Sequence, residues 1–184
     1  MDALDPANEA LAEKVAKYRS LFLSAWDNLK EDLANGIVNY PENEHELRSL
    51  LFAKCLELMK KKERGFATPY QIHTEDIKIY GGAKADLTLG DLKEFDSSAR
   101  AVTVEIKHDP CSEDIISDIK KLQRYVAENR LFFAFFVAIG DVTLEKLKPA
   151  IVAMGIVEKD IDMDPGGIPT SRRRKLALCV SLSQ

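Results

Sequence analysis

Three residues of this chain, Asp86, Glu105 and Lys107, have types and spacing that could do chemistry together. They lie in two runs that alternate apolar and polar residues, Ala85–Leu89 and Ala101–Lys107, separated by a polar stretch containing Gly90. Period-two alternation bounded by turn residues predicts two adjacent antiparallel strands. Successive side chains of a strand point to opposite faces. One face then carries Leu87, Leu89, Val102, Val104 and Ile106, and the other carries Asp86, Thr88, Thr103, Glu105 and Lys107. A hairpin symmetric about its loop pairs Leu89 with Val102 and sets Asp86 opposite Glu105. Directly opposed like charges destabilise a sheet, so the pair calls for a cation. Lys107 could supply it, and so could a metal. Hard cations such as Mg²⁺ take oxygen ligands from one or two carboxylates, with water and substrate phosphate completing the shell. Such an ion activates water and stabilises charge on a phosphoryl group. The plain alternative is a solvated Glu–Lys pair on a strand, worth about 0–1 kcal/mol.

Asp86 followed by Glu105-Ile106-Lys107 at the end of an apolar strand resembles the active-site signature of the PD-(D/E)XK nuclease superfamily. That superfamily includes restriction endonucleases, Holliday-junction resolvases and RecB-type repair nucleases. The resemblance covers roughly residues 44 to 140 as a pattern of elements, although its motif is only a few residues long. It implies that Asp86 and Glu105 bind Mg²⁺ (with Mn²⁺ as a substitute) and that the backbone carbonyl of Ile106 is a further ligand. Lys107 would orient or deprotonate the attacking water and stabilise the pentavalent phosphate. Ala85 stands where the name-giving proline would be, a substitution the superfamily often shows. Family members usually bear a glutamate near the start of the helix before the hairpin, close to the metal. Glu44 is preferred for that place, with Glu46 as its rival.

The implied fold class is α/β: a restriction endonuclease-like three-layer core, a mixed β-sheet flanked by helices in the order αβββαβ, with an extra N-terminal helix. The implied activity is metal-dependent phosphodiester hydrolysis, foremost as a DNA endonuclease. DNA is then the partner, and a homodimer suits duplex cutting. Two alternatives stand beside it. One is a catalytically inactive nuclease-fold subunit that binds DNA or a protein. The other is an interaction protein whose long first helix docks a partner.

Composition permits this reading without pointing to it. At 184 residues, 46% hydrophobic and 30% charged, the chain suits one domain with a sizeable core. No apolar run approaches the ~20 residues of a membrane span, and the N-terminus lacks a signal peptide's basic and apolar regions. A cytoplasmic protein without a membrane partner is expected. Cys55, Cys111 and Cys179 match no zinc spacing and suggest no disulfide framework. The net charge of −4 argues against a protein that coats nucleic acid, though not against a local basic groove.

The elements that must position the site follow in order. Asp5-Pro6 starts a helix, and Leu11, Val15, Tyr18, Phe22, Trp26, Leu29 and Leu33 form one stripe along residues 6–34, ended at Gly36. Residues 1–36 are read as this amphipathic helix, part of the same domain, and 37–184 as the nuclease-like unit. The stripe could cover the core or a second subunit, and Trp26 is read as a core anchor. A second helix runs from Pro41 or Asn43 to Lys62, with Leu47, Leu51, Cys55 and Leu58 buried. Asn43 and Glu46 fit a reciprocal cap, which gives Glu46 a structural task and leaves Glu44 an unexplained charge on the buried stripe. Lys60 to Arg64 either complement the helix dipole or face phosphate. An extended stretch over 66–80 supplies the first strand, and Gly81-Gly82 permits a turn or bulge.

After His108-Asp109-Pro110, Ser112 should cap a helix reaching Asn129 with Ile115, Ile119, Leu122 and Val126 as its core stripe. Asp118, Lys121 and Tyr125 share a neighbouring strip, either solvated or facing the site. Lys121-x-x-x-Tyr125 has the spacing of a Gln-x-x-x-Tyr pair in RecB-type nucleases, with lysine in place of glutamine. The apolar run Leu131–Ile139 suits a strand buried on both faces. Thr143 should cap a short helix that Pro149 kinks or breaks. Asp160-x-Asp162-x-Asp164 lacks the glycine and bidentate glutamate of a calcium loop. The cations from Arg172 to Lys175 are either a DNA-backbone contact or a charged cuff on a sheet edge, ahead of a last strand over 176–182.

Overall fold

The computed structural model describes residues 6–61, 71–76, 84–92, 100–128, 131–141, 147–163, 168–169 and 174–183. Its first helix, α1 (Pro6–Ala34), spans the predicted stripe. Val15, Tyr18, Phe22, Trp26, Leu29 and Leu33 are all buried. Each fully buried large apolar side chain contributes roughly 1.5–3 kcal/mol of transfer free energy, which explains why this face covers the chain's own core. The Phe22 and Phe135 rings, with centroids 4.4 Å apart, tie the helix to the sheet. The helix stops in a Schellman arrangement: Gly36 takes φ +67°, Ile37 N–H donates to the Asp32 carbonyl at 2.9 Å, and Gly36 N–H to that of Leu33 at 3.3 Å. Helix α2 (Glu44–Lys61) packs against α1 with Leu47, Leu51, Cys55 and Met59 buried.

The strands are β1 (Ile72–Asp76), β2 (Ala85–Asp91) and β3 (Arg100–His108), followed by α3 (Ser112–Ala127) and β4 (Leu131–Gly140). Then come α4 (Lys148–Ala153), β5 (Ile161–Met163), β6 (Ile168–Pro169) and β7 (Arg174–Ser183). The sheet runs β1-β2-β3-β4-β7-β5, with β6 paired to β7 off this path. β3 and β4 are parallel, while β1–β2, β2–β3, β4–β7 and β5–β7 are antiparallel. The fold is therefore α/β with a mixed sheet of six strands between helices.

Alternation along β4 divides the core in two. Phe135, Val137 and Ile139 join Leu87, Leu89, Val102, Val104 and Ile106 under α1 and α2. Ala134, Phe136 and Ala138 face Ile115, Ile119, Leu122 and Val126 of α3. The apolar face expected of the β2–β3 hairpin is thus the floor of the first core. In the observed register Leu89 pairs with Val102 and Leu87 with Val104.

Two sequence expectations need correction. Ser112 is the first residue of α3, and Cys111 holds the cap position without a side-chain bond to the helix backbone. Asp109 turns with φ +47° and Pro110 disfavours helix in the residue before it, so the chain enters the helix at Ser112. Pro149 opens α4 instead of breaking it; in a first turn its missing N–H has no helical partner to lose. The readings of Thr143, Gly81-Gly82, Lys62, Arg172 and Arg173 lie outside the described residues, as does most of the 66–80 stretch. Among the described residues no helix is long and apolar enough to cross a membrane, and all three cysteines are free.

Candidate active site at the end of strand β3

Continuing the β2–β3 register by one residue sets Asp86 opposite Glu105. Asp86 is fixed by its neighbour strand, for its Oδ2 accepts the Ile106 main-chain N–H at 2.8 Å. Its Oδ1 lies 3.3 Å from the Arg48 guanidinium, which also reaches Glu75 at 3.1 Å and the His45 ring at 2.9 Å. Glu105 is 5% exposed, and its Oε1 accepts a hydrogen bond from the Lys121 ammonium on α3. Lys107 sits between two further acids, Glu44 on α2 at 3.3 Å and Asp118 on α3 at 3.6 Å. The site is thus assembled from α2, β2, β3 and α3.

Local sequence explains these placements. Asn43 Oδ1 accepts the Glu46 N–H at 2.9 Å, while Glu46 accepts the Glu42 N–H at 2.8 Å and the Asn43 amide at 3.2 Å. This reciprocal cap holds Glu46 at the helix start and leaves Glu44 to meet Lys107. On α3, residues three apart share a face, so Asp118 and Lys121 both overlook the hairpin. Tyr125, one turn further along, is buried among α3's apolar residues.

Burial pushes the Glu105 carboxyl up to about 7, and the nearby Asp86 and Asp118 charges push the same way, against the Lys121 ammonium. Burial pulls the Lys107 ammonium down, but Glu44, Asp118 and Asp86 outweigh it and the net direction is up. Lys121 is likewise raised overall, because Glu105, Asp118 and Tyr125 outweigh its burial. Four carboxylates (Glu44, Asp86, Glu105, Asp118) and three cations (Arg48, Lys107, Lys121) converge here among the described residues. Thr103, two residues before Glu105 on the same face, has a buried hydroxyl without a hydrogen-bond partner among the described residues.

A hard divalent cation suits this donor set: two acids on neighbouring strands, crowded enough to raise one of them, with the Ile106 carbonyl next to Glu105 in sequence. Among the described residues, however, no group of three or more Asp, Glu, His or Cys side chains is gathered closely enough to hold an ion as it stands. Instead, Lys121 pairs with Glu105 and Arg48 with Asp86. Sequence reasoning named Asp86, Glu105, Lys107 and Glu44, and the structure brings these four together. It missed Arg48, although Arg48 lies one turn after Glu44 on the same helix face. Asp118 and Lys121 were left open between solvent and site, and both face the site.

Of the other charged motifs, three described residues have ion-pair partners. Lys61 pairs with Glu57 at 2.5 Å. Lys175 pairs with Asp109 at 2.5 Å and Asp141 at 3.1 Å. Asp162 pairs with Lys30 at 2.7 Å. Comparisons with protein-family models, with curated proteins and with solved structures return no match to this chain.

Proposed function

We propose that this chain is a Mg²⁺-dependent nuclease, foremost a DNA endonuclease, built on a restriction endonuclease-like αβββαβ core. One observation carries the reading: Asp86, Glu105 and Lys107 meet at one end of the β2–β3 pair, with Glu44 and Asp118 closing around Lys107. The order α2, β1, β2, β3, α3, β4 with β3 parallel to β4 supports the fold assignment. Asp86, Glu105 and the Ile106 carbonyl would hold the ion, with Glu44 contributing directly or through water. Once bound, the ion would lower the pKa of a coordinated water and neutralise charge on the phosphodiester. The water oxygen would bond to phosphorus as one ester P–O bond breaks, its proton passing to solvent and the departing oxygen taking one up from solvent. The acids around Lys107 keep it protonated in the metal-free chain, which fits it to orient the water and stabilise phosphate charge as a donor. Two such sites in a homodimer would cut both strands of a duplex.

The test is divalent-dependent cleavage of linear, circular and branched DNA by wild type and by Asp86→Ala, Glu105→Ala and Lys107→Ala. The variants should fold and fail to cut. Cutting that persists in both Glu105→Ala and Lys107→Ala overturns the proposal.

A second reading, an inactive nuclease-fold subunit that binds DNA or a protein, has its own support. Protein cations already neutralise Asp86 and Glu105. Such a scaffold would show no Mn²⁺ or Mg²⁺ heat in calorimetry, and its DNA affinity would ignore the metal.

A further inference from the structure

Lys121 reaches into the sheet from α3 and places its ammonium on Glu105 Oε1, the carboxylate assigned above to the metal. Glu105 is nearly inaccessible to solvent while the Lys121 side chain is 31% exposed, so the contact is screened by water and salt from the helix side only and less than a surface pair is. A divalent ion coordinated by Glu105 would stand close to this ammonium, and the two cations would repel one another in a site with little water to screen them. The helix also offers the ammonium somewhere to go. Asp118 lies one turn back on the same face of α3, close enough to act on the Lys121 charge, and it is only partly committed, at 3.6 Å, to Lys107. Arg48 is a weaker obstacle on the other acid: it shares its guanidinium among Asp86, Glu75 and His45, while the Ile106 N–H holds Asp86 in place regardless.

We infer that Lys121 is a tethered competitor for the divalent ion: it holds Glu105 in the metal-free chain and must swing away, toward Asp118, before the ion can be coordinated. Metal binding and Lys121 release are then one coupled event, and the site's affinity for Mg²⁺ is set lower than its oxygen donors alone would give. The inference rests on the metal-site reading above and adds a residue that regulates it.

Titration calorimetry with Mn²⁺ on the full chain tests it, comparing wild type, Lys121→Met and Lys121→Arg. Lys121→Met removes the charge at similar volume and should bind Mn²⁺ at least ten-fold more tightly. Lys121→Arg keeps a cation and should show no such gain. Equal affinity in wild type and a folded Lys121→Met overturns the competitor role while leaving the metal site standing. Binding in neither protein removes the metal-site reading itself, and the inference with it. Should Lys121→Met not fold, the lysine ammonium resonances of wild type give the same answer. Saturating Mg²⁺ should move that of Lys121 and leave that of the remote Lys61 in place. An unmoved Lys121 resonance in the metal-bound protein overturns the inference.

Discussion

The Ile106 main-chain N–H donates to Asp86 Oδ2 at 2.8 Å, so the acid of β2 is held by the residue between Glu105 and Lys107. A main-chain donor cannot rotate away, and a hydrogen bond to a charged acceptor contributes about 1.5–3 kcal/mol. The contact fixes where Asp86 points before any ligand arrives. Asp86→Asn keeps an oxygen acceptor of the same shape and removes the charge. It should retain the fold by circular dichroism and lower metal-dependent cleavage by roughly 10²-fold or more, the scale seen when one electrostatic stabiliser is lost. Wild-type cleavage rates in this variant would contradict the role given to Asp86.

The two glutamates at the start of α2 should separate by experiment. Glu46→Ala removes the acceptor of the Glu42 and Asn43 donors and should cost about 0.5–2 kcal/mol in urea unfolding, the usual scale of a lost cap. Cleavage at saturating metal should hold. Glu44→Gln loses its charge beside Lys107 and should show the converse, a nearly unchanged unfolding midpoint with weakened metal-dependent activity.

Gly90 is a structural requirement of the hairpin. It has φ +72°, and a Cβ added there would meet Tyr18 Cδ2 at 2.6 Å and Ala101 Cβ at 2.9 Å. Gly90→Ala combines backbone strain with overpacking and should destabilise by roughly 1–3 kcal/mol or more. Tyr18→Ala relieves only the ring contact, so the double variant should recover part of the Gly90→Ala penalty and not all of it. Thermal unfolding of the three variants reads this directly.

The raised Glu105 gives metal-free stability a defined pH dependence. Burial first, then Asp86 and Asp118, lift this acid from 4.5 to about 7. Between those values the folded chain binds a proton that the unfolded chain has already released. This contribution to stability is therefore complete below the window and is lost as pH rises through about 7. Urea unfolding of metal-free protein should show Glu105→Gln gaining on wild type between about pH 4.5 and about pH 7, because its neutral amide has no such window. A difference that stays constant with pH contradicts the burial argument.

The hairpin register was legible because two constraints agree. Period-two alternation assigns faces, and the expected Leu89–Val102 pairing is the one observed. Helix α1 was legible over its whole length because its stripe never breaks and Gly36 supplies the left-handed residue its end requires. Whether that stripe met its own core was not legible, since an apolar face carries no record of what covers it. Ser112 and Pro149 were misplaced for a common reason. A polar residue before a helix and a proline within one have meanings that depend on the starting residue, which sequence locates only to within a few positions. Arg48 was invisible as a partner of Asp86, and Lys121 was legible only as a residue that could face the site, because those pairs close only when α2 and α3 pack on the sheet.

The most direct test of the account is a structure of the protein crystallised with Mn²⁺, phased to show anomalous scattering. One strong peak is expected within coordination distance of Asp86 and Glu105, with the Ile106 carbonyl turned toward it and the Lys121 ammonium withdrawn from Glu105. Saturating Mn²⁺ with no peak there, and Lys121 still seated on Glu105, would contradict it.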